Sequence, residues 1–526
     1  MNPRSLQRLL TAISFFCATL IATAQSQEQA TLPNIVYILA DDMGYGDVQC
    51  LNPERGKIPT PHMDAVARDG MTFTDAHTSS SVCTPTRYSV LTGRYHWRTH
   101  LQKGVLNGYG PPLIAADRTT VPSFLKEHGY TTAMIGKWHL GLDIPTTDGE
   151  IAKAKNLGGK QSVEVDPASI SNIDWNGKIK GGPVNLGFDS WYGITASLDF
   201  PPYVWIRDNQ FVGSGTQIKA FNRKGPASKD FEAIDVLDDF ARETVEYITD
   251  YKEEAPFFIY MPLTSPHTPI VPAKKWQGKS PLGRYGDFMM QTDDIVGQVI
   301  AALDAKGLSE NTLVIVTSDN GCSRAAKITD LEEQGHFPSA QFRGSKADLW
   351  EGGHRVPFLV KWPAVIKPGT LNHTLTCQTD LLATCAEIVN ANVPGNSGED
   401  SVSILPAFKG QDITTTRKGI VNHSFSGHFA YREGDWKLLL AYGSGGWTAP
   451  KEADAQKQNL PKAQLYNLAD DPGETNNLYE SNPEKAKALL KQLTAYVHSG
   501  RSTDGAESSN DIPNEEINLW KSERGQ

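Results

Sequence analysis

Two adjacent carboxylates, Asp41 and Asp42, follow directly on the apolar run Asn34-Ile35-Val36-Tyr37-Ile38-Leu39-Ala40. Side by side they repel each other unless something positive sits between them. A hard divalent cation would relieve this, because such ions take oxygen ligands. An ordinary turn is the alternative, since Asp is common there. Asp319-Asn320-Gly321 follows a second apolar run, Leu313-Val314-Ile315-Val316, and adds a carboxylate and an amide oxygen. Its plain alternative is an Asx turn closed by glycine. Pooled, the two sites supply three carboxylates and one amide oxygen without His or Cys. That donor set points to Ca²⁺, with Mg²⁺ possible, rather than Zn²⁺.

Cys83-Thr84-Pro85-Thr86-Arg87 is followed by Tyr88-Ser89-Val90-Leu91-Thr92-Gly93-Arg94. A lone Cys stands just before an expected helix N-terminus, with Pro and Arg at fixed offsets. A buried or disulfide-bonded Cys is the plainer reading. Isolated basic groups complete the set: Lys137 and His139 in Gly136-Lys137-Trp138-His139-Leu140-Gly141, His267 in Ser265-Pro266-His267-Thr268-Pro269, and Lys346 in Gly344-Ser345-Lys346-Ala347-Asp348. Singly, each could be a surface lysine or a turn or core histidine. Each, however, lies next to a strand-like run.

Those runs must position the chemistry. Thr131–Ile135, Phe257–Met261 and Leu313–Val316 read as further buried strands. Val121–His128, Phe231–Tyr251 and the helically spaced Phe288, Thr292, Ile295, Val296, Val299, Ile300 and Leu303 read as helices. The alternation predicts an α/β fold, a mostly parallel sheet sandwiched by helices, with ligands beyond the carboxyl ends of the strands. After about residue 400, Ile420–Phe425, Phe429–Arg432 and Trp436–Tyr442 are closely spaced strands with no helix between them. Leu489, Leu490, Leu493 and Val497 mark one amphipathic helix. The expected organisation is a catalytic unit over 33–405, a small antiparallel subdomain over 415–500 and a polar tail over 501–526 in which Trp520 could dock. The stretch 143–183, rich in Gly, Lys, Asp and Asn, reads as a surface insertion.

Arg4 and Arg8, the apolar stretch 9–23 and Ala22-Thr23-Ala24 form a secretory signal pattern over residues 1–24. The apolar stretch is shorter than the ~20 residues of a spanning helix, so the expectation is a secreted or periplasmic protein without a membrane anchor. The 526 residues, with 39% hydrophobic and 21% charged, exceed one ordinary domain and exclude a disordered or membrane-embedded chain. Six cysteines are too few for a disulfide scaffold. Cys377 and Cys385 could bridge locally. The formal charge of −10, falling to −12 on loss of Arg4 and Arg8, argues against a nucleic-acid partner.

The Cys83–Arg87 segment and its Leu91-Thr92-Gly93-Arg94 extension resemble the C-x-P-x-R maturation motif of type I sulfatases. The likeness runs from Pro33 to the closing motif Leu465-Tyr466-Asn467-Leu468-Ala469-Asp470-Asp471-Pro472-Gly473-Glu474-Thr475-Asn476-Asn477-Leu478, and the chain is similar to arylsulfatase A-like and N-acetylgalactosamine-6-sulfatase-like bacterial enzymes. The resemblance implies an alkaline-phosphatase-like fold and a Cys83 oxidised to formylglycine by a separate maturation enzyme. It implies calcium ligands at Asp41, Asp42, Asp319 and Asn320. Arg87 and Lys137 would hold formylglycine, and Lys346, His139 and His267 would face sulfate. His267 would be the acid for the leaving group and His139 the base for sulfate release. The implied reaction is hydrolysis of sulfate esters on an oligosaccharide or polysaccharide. A phosphate or phosphonate ester hydrolase of the same superfamily is one alternative. A non-catalytic sulfoglycan-binding protein is another, if Cys83 is not matured.

An acidic chain attracts an anionic polymer only through a locally positive pocket. We therefore expect exo action on a chain end. The segments Gly93–Thr99, Gly108–Leu113 and Asp199–Trp205 resemble those of bacterial sulfatases acting at the 6-position of galactose or N-acetylgalactosamine, and that resemblance implies a 6-O-sulfated galactose or N-acetylgalactosamine substrate. Candidate rim residues are Trp97, His100, Asp199, Tyr203 and Arg207, with His96, Arg98 and Trp205 beside them.

Overall fold

A computed structural model describes residues 32–152, 172–413 and 417–520. The expected signal peptide and the middle of the 143–183 insertion lie outside the described residues.

The apolar runs form the heart of a ten-stranded sheet. Five neighbours run parallel, in the order Ser190–Ile194, Thr131–Lys137, Phe257–Pro266, Asn34–Asp41 and Thr312–Ser318. Ile35 pairs with Phe258 on one side and Leu313 on the other. Strands covered on both faces need continuous apolar sequence, and Ile35 to Ala40 are all buried. The flanks are mixed: Phe358–Lys361 runs antiparallel to Thr312–Ser318, and Trp205–Arg207 and Gln210–Val212 extend the far side antiparallel.

Alternation along the strand sends side chains to opposite layers. Val36, Ile38 and Ala40 join a core with the helices Val236–Asp250 and Gly283–Lys306. Tyr37 lies on the other side with Leu381 and Thr384 of the helix Leu381–Ile388. The first of these helices starts five residues later than its apolar pattern, because Phe231 belongs to a turn that packs on the same core. No described helix is long and apolar enough to cross a membrane.

Beyond residue 419 a four-stranded antiparallel sheet forms from Ile420–His423, Phe429–Glu433, Trp436–Leu439 and Gln464–Asn467. The fourth strand was read in the sequence only as part of the closing motif. The helix Pro483–His498 buries Leu489, Leu493 and Val497 against Val421, Phe429 and Leu465. Residues 501–520 are polar yet docked. Arg94 binds Asp511, Arg98 binds Asn510, and Ile517 is buried in the C-terminal core. Lys462 Nζ lies 4.7 Å from the Trp520 ring centroid. Cys50, Cys83, Cys322, Cys377 and Cys385 are all free thiols, so the local bridge between Cys377 and Cys385 is not made.

Candidate active site

Because the central strands are parallel, their carboxyl ends open on one edge of the sheet. Asp41 ends one strand, Lys137 ends the next but one, and His267 and Asp319 directly follow two others. Parallel pairing thus gathers residues nearly 280 positions apart.

Cys83 opens the helix Cys83–Thr92, in which every residue is buried. Pro85 sits in the first turn, where its missing N–H costs no helical bond. Gly93 ends the helix at φ +63°, and a Cβ there would stand 2.9 Å from Ser401 Cβ. Only glycine suits that left-handed, crowded position. The helix therefore presents Cys83 at its N-terminus and sends Arg87 one turn inward.

Arg87 donates through Nε and Nη2 to Asp319 Oδ2 at 3.0 and 2.6 Å, and through Nη1 to the Lys137 carbonyl at 3.3 Å. Lys137 Nζ binds Asp41 Oδ2 at 2.6 Å. Lys346 Nζ lies 2.5 Å from Asp42 Oδ1, which also accepts from Asn320 Nδ2 at 2.7 Å. The Asp42 N–H donates to Asp319 Oδ1 at 3.2 Å. Three buried carboxylates thus face three buried cations. Burial alone would raise the Asp41 carboxyl, but Lys137, with His267, Arg87 and Lys346, holds it well below the usual carboxylate range. Burial would lower Lys346, and Asp42 outweighs it and pushes the ammonium up. The Cys83 thiol is raised by burial, against the pull of Lys137 and Lys346.

The donor set fits a hard cation. Asp41 Oδ1, Asp42 Oδ2 and Asn320 Oδ1 are buried oxygens without a hydrogen-bond partner among the described residues. Buried acceptors are rarely left so, and three together are what an oxygen-seeking ion would satisfy. Ligand atoms of Asp41, Asp42 and His267 lie within 4.8 Å of one another, as do those of Asp41, Cys83 and Asp319.

The histidines flank this cluster in defined orientations. His139, at φ +59°, points Nε2 at the Leu106 carbonyl, 2.7 Å away. That carbonyl can only accept, so Nε2 carries the proton and Nδ1 keeps its lone pair. Burial, then Lys137 and Arg87, depress its pKa well below the ordinary value, so the ring stays neutral. His267 Nδ1 meets the Thr268 carbonyl at 2.5 Å, which turns Nε2 toward Asp42 Oδ2 at 3.7 Å. Asp42, at φ +69°, and His139 hold backbone conformations rare for non-glycine residues, and such strain gathers at functional sites.

Sequence reading missed what fixes Lys346. Its N–H binds the Cys322 carbonyl and the Ala347 N–H binds the Ser81 carbonyl, at 2.9 and 2.8 Å. Asp348 accepts from Ser345, Trp447 and Thr448 N–H groups, so the C-terminal subdomain grips the Lys346 turn. Glu474 of the closing motif pairs with Lys437 at 2.9 Å and accepts from the Glu351 N–H at 2.6 Å. His77, Glu351 and His354 also cluster tightly, and there Glu351 is paired with Lys437, Arg432 and Arg355.

Several rim candidates are engaged with other partners. Trp97 is fully buried and stacks on Tyr95 in the C-terminal core. Tyr203 is buried against Phe221 and Phe231, its hydroxyl bound to the Arg223 carbonyl. Arg207 pairs with Glu243 and lies over the Tyr192 ring. Arg98 is buried on Asp400, and His96 is buried 2.9 Å from His423 Nδ1. Aromatic and charged residues near a motif look alike in sequence whether they line a pocket or hold a core. His100 is exposed. Asp199 lies beside the site, where it meets Arg223 and feels the charge of His267. Arg223 was missed; the signal was Asn222 at a tight turn, with Arg223 opening the second of two short strands.

The profile of the Sulfatase family matches residues 33–391, and that of the N-sulphoglucosamine sulphohydrolase C-terminal region matches 345–502. The N-acetylgalactosamine-6-O-sulfatase of Bacteroides thetaiotaomicron is 31% identical, over 88% of this chain and 92% of its own. The mouse N-acetylgalactosamine-6-sulfatase is 26% identical, over 93% and 90%. A solved Bacteroides thetaiotaomicron structure, described within the metabolism of multiple glycosaminoglycans, superposes with a TM-score of 0.74 at 29% identity, covering 89% of this chain and 99% of that one. The chain belongs to the sulfatase family and is a sulfuric ester hydrolase.

Proposed function

We propose that the protein removes 6-O-sulfate from galactose or N-acetylgalactosamine at the end of a sulfated glycan, with Cys83 matured to formylglycine. One observation carries the reading: Cys83 stands at a buried helix N-terminus, 2% exposed, inside a ring of Lys137, Lys346, Asp41 and Asp319. As a thiol held protonated by burial it is a poor nucleophile. Matured by a separate enzyme, it would supply a hydroxyl nucleophile and a second hydroxyl through which sulfate can be released.

Asp41, Asp42, Asp319 and Asn320 would hold the cation, for which Ca²⁺ suits four oxygen donors. It would supply charge neutralisation at the sulfuryl oxygens. Lys137 and Lys346 add fixed positive charge there, in a water-poor site where such charge acts strongly. His267 Nε2 would donate a proton to the departing sugar oxygen, and His139 Nδ1 would accept one as sulfate leaves. A buried nucleophile favours a sulfate carried on an arm, and the primary 6-O-sulfate projects from its ring. The relatives named above for N-acetylgalactosamine 6-sulfate support the same choice.

The test is a panel of monosulfated mono- and disaccharides that vary in sulfate position and C4 configuration. Fastest turnover of galacto-configured 6-O-sulfate is expected. Preference for 2-O- or 4-O-sulfate, or for the gluco 6-O-sulfate, would overturn the substrate and leave the sulfatase assignment standing.

A further inference from the structure

Beside the two histidines lies a small hairpin, Gln217–Phe221 paired with Arg223–Ala227. Its tip residue, Asn222, has φ +78° and donates through Nδ2 to Thr268 Oγ1 at 2.9 Å, next to His267. Arg223 then turns back over the site. Its Nη1 contacts Asp199 Oδ2 and donates to the Asp199 carbonyl at 3.3 Å. Its Cζ stands 4.2 Å from the centroid of the Phe200 ring, and that ring lies 5.6 Å from the ring of His139. One aromatic ring therefore separates the guanidinium from His139.

Arg223 differs from the other cations near the site. The side chains of Arg87 and Lys137 are wholly buried and that of Lys346 is 6% exposed, whereas Arg223 keeps 33% of its side chain open. It is also matched by a single carboxylate, Asp199, whose other oxygen accepts from Ser197 Oγ at 2.8 Å. The pair is close to neutral, so it adds little pull on an anion. It offers a planar fork of N–H donors beside a carboxylate acceptor, the pattern that suits hydroxyl groups on a sugar.

We propose that Arg223, held by Asp199 and Phe200, is a specificity-determining residue that reads the ring bearing the sulfate, principally its O4. This rests on the 6-O-sulfate reading above. In the galacto series O4 is axial and stands on the same face of the ring as the C5–C6 arm. With the arm in the sulfate pocket, O4 meets a donor at the pocket's edge. In the gluco series O4 lies in the ring plane and points away from it. A site built to bond a hydroxyl rejects the epimer that misplaces it, because its own polar groups are left unpaired.

The experiment measures kcat and KM for Arg223→Ala and Arg223→Lys on 6-sulfated galactose, 6-sulfated glucose and an aryl sulfate. Loss of a hydrogen bond from a charged donor should lower kcat/KM on the galacto substrate roughly 10- to 100-fold, mostly through KM. The galacto-to-gluco ratio should fall toward one. Arg223→Lys should recover little, because an ammonium lacks the planar fork. An unchanged ratio, with all three substrates falling together, would show that Arg223 only props Phe200, and would overturn the proposal. So would an unchanged galacto kcat/KM. Thermal melts check folding, and Arg223→Lys carries the test if the alanine variant does not fold. Failure of the underlying reading shows separately, in a wild-type enzyme that does not prefer the galacto 6-O-sulfate.

Discussion

His139→Ala separates the two halves of the proposed reaction. The ring is anchored by Nε2–H on the Leu106 carbonyl and is held neutral by burial and by Lys137 and Arg87. Its Nδ1 is buried and has no hydrogen-bond partner among the described residues. A positioned general base typically contributes about 10²–10⁴-fold. That corresponds to about 3–5 kcal/mol of barrier. If its proton is taken only as sulfate leaves, the variant should release the first equivalent of sugar rapidly and then stall, with inorganic sulfate lagging. Stopped-time assays that count sugar and sulfate separately read this directly. The depressed pKa also fixes a pH signature. A histidine buried neutral adds stability that is full above its unfolded value, near 6.5, and is lost as pH falls through the lower folded value. The wild type should therefore show no His139 ionisation in its rate between about pH 6 and 8. Equal slowing of sugar and sulfate release would refute the role, and so would a variant within a few-fold of wild type.

Lys437→Ala should be among the most destabilising single changes outside the apolar core. It leaves Glu351 and Glu474 buried without the ammonium that lies 2.9 Å from each. Breaking such a buried pair typically costs about 3–5 kcal/mol, to be read from chemical denaturation, and a loss under about 1 kcal/mol would contradict the network's importance. Chelator-treated protein should gain thermal stability when Ca²⁺ is returned. The gain should approach about 2.7 kcal/mol at a hundredfold excess over the dissociation constant. Asp42→Asn should shrink that gain, and an equal calcium response in the variant would move the ion elsewhere.

Much of the site was legible because parallel strands announce themselves as unbroken apolar runs, and chemistry collects at their ends. Asp41, Lys137, His267 and Asp319 could be placed on one edge from the strand ends alone. What could not be read was side-chain direction away from the strands. Trp97 and Arg207 stand in motif-rich or aromatic segments, yet Trp97 serves the C-terminal core and Arg207 pairs with Glu243. The polar texture of 501–520 suggested a loose tail, but polar residues there meet Arg94 and Arg98, buried partners contributed from a distant segment. The grip of Asp348 on Thr448 likewise joins residues a hundred positions apart through backbone N–H groups, which carry no residue-type signal.

The central claim is that turnover runs through the side chain at position 83. Inorganic sulfate released from 6-sulfated galactose or N-acetylgalactosamine should be measured for wild type and Cys83→Ala, purified from the same host, with the wild-type peptide across Cys83 weighed in parallel. The account predicts that the wild-type peptide carries the aldehyde in place of the thiol, and that Cys83→Ala is folded and releases no sulfate above background. Sulfate release by Cys83→Ala at the wild-type rate would contradict it.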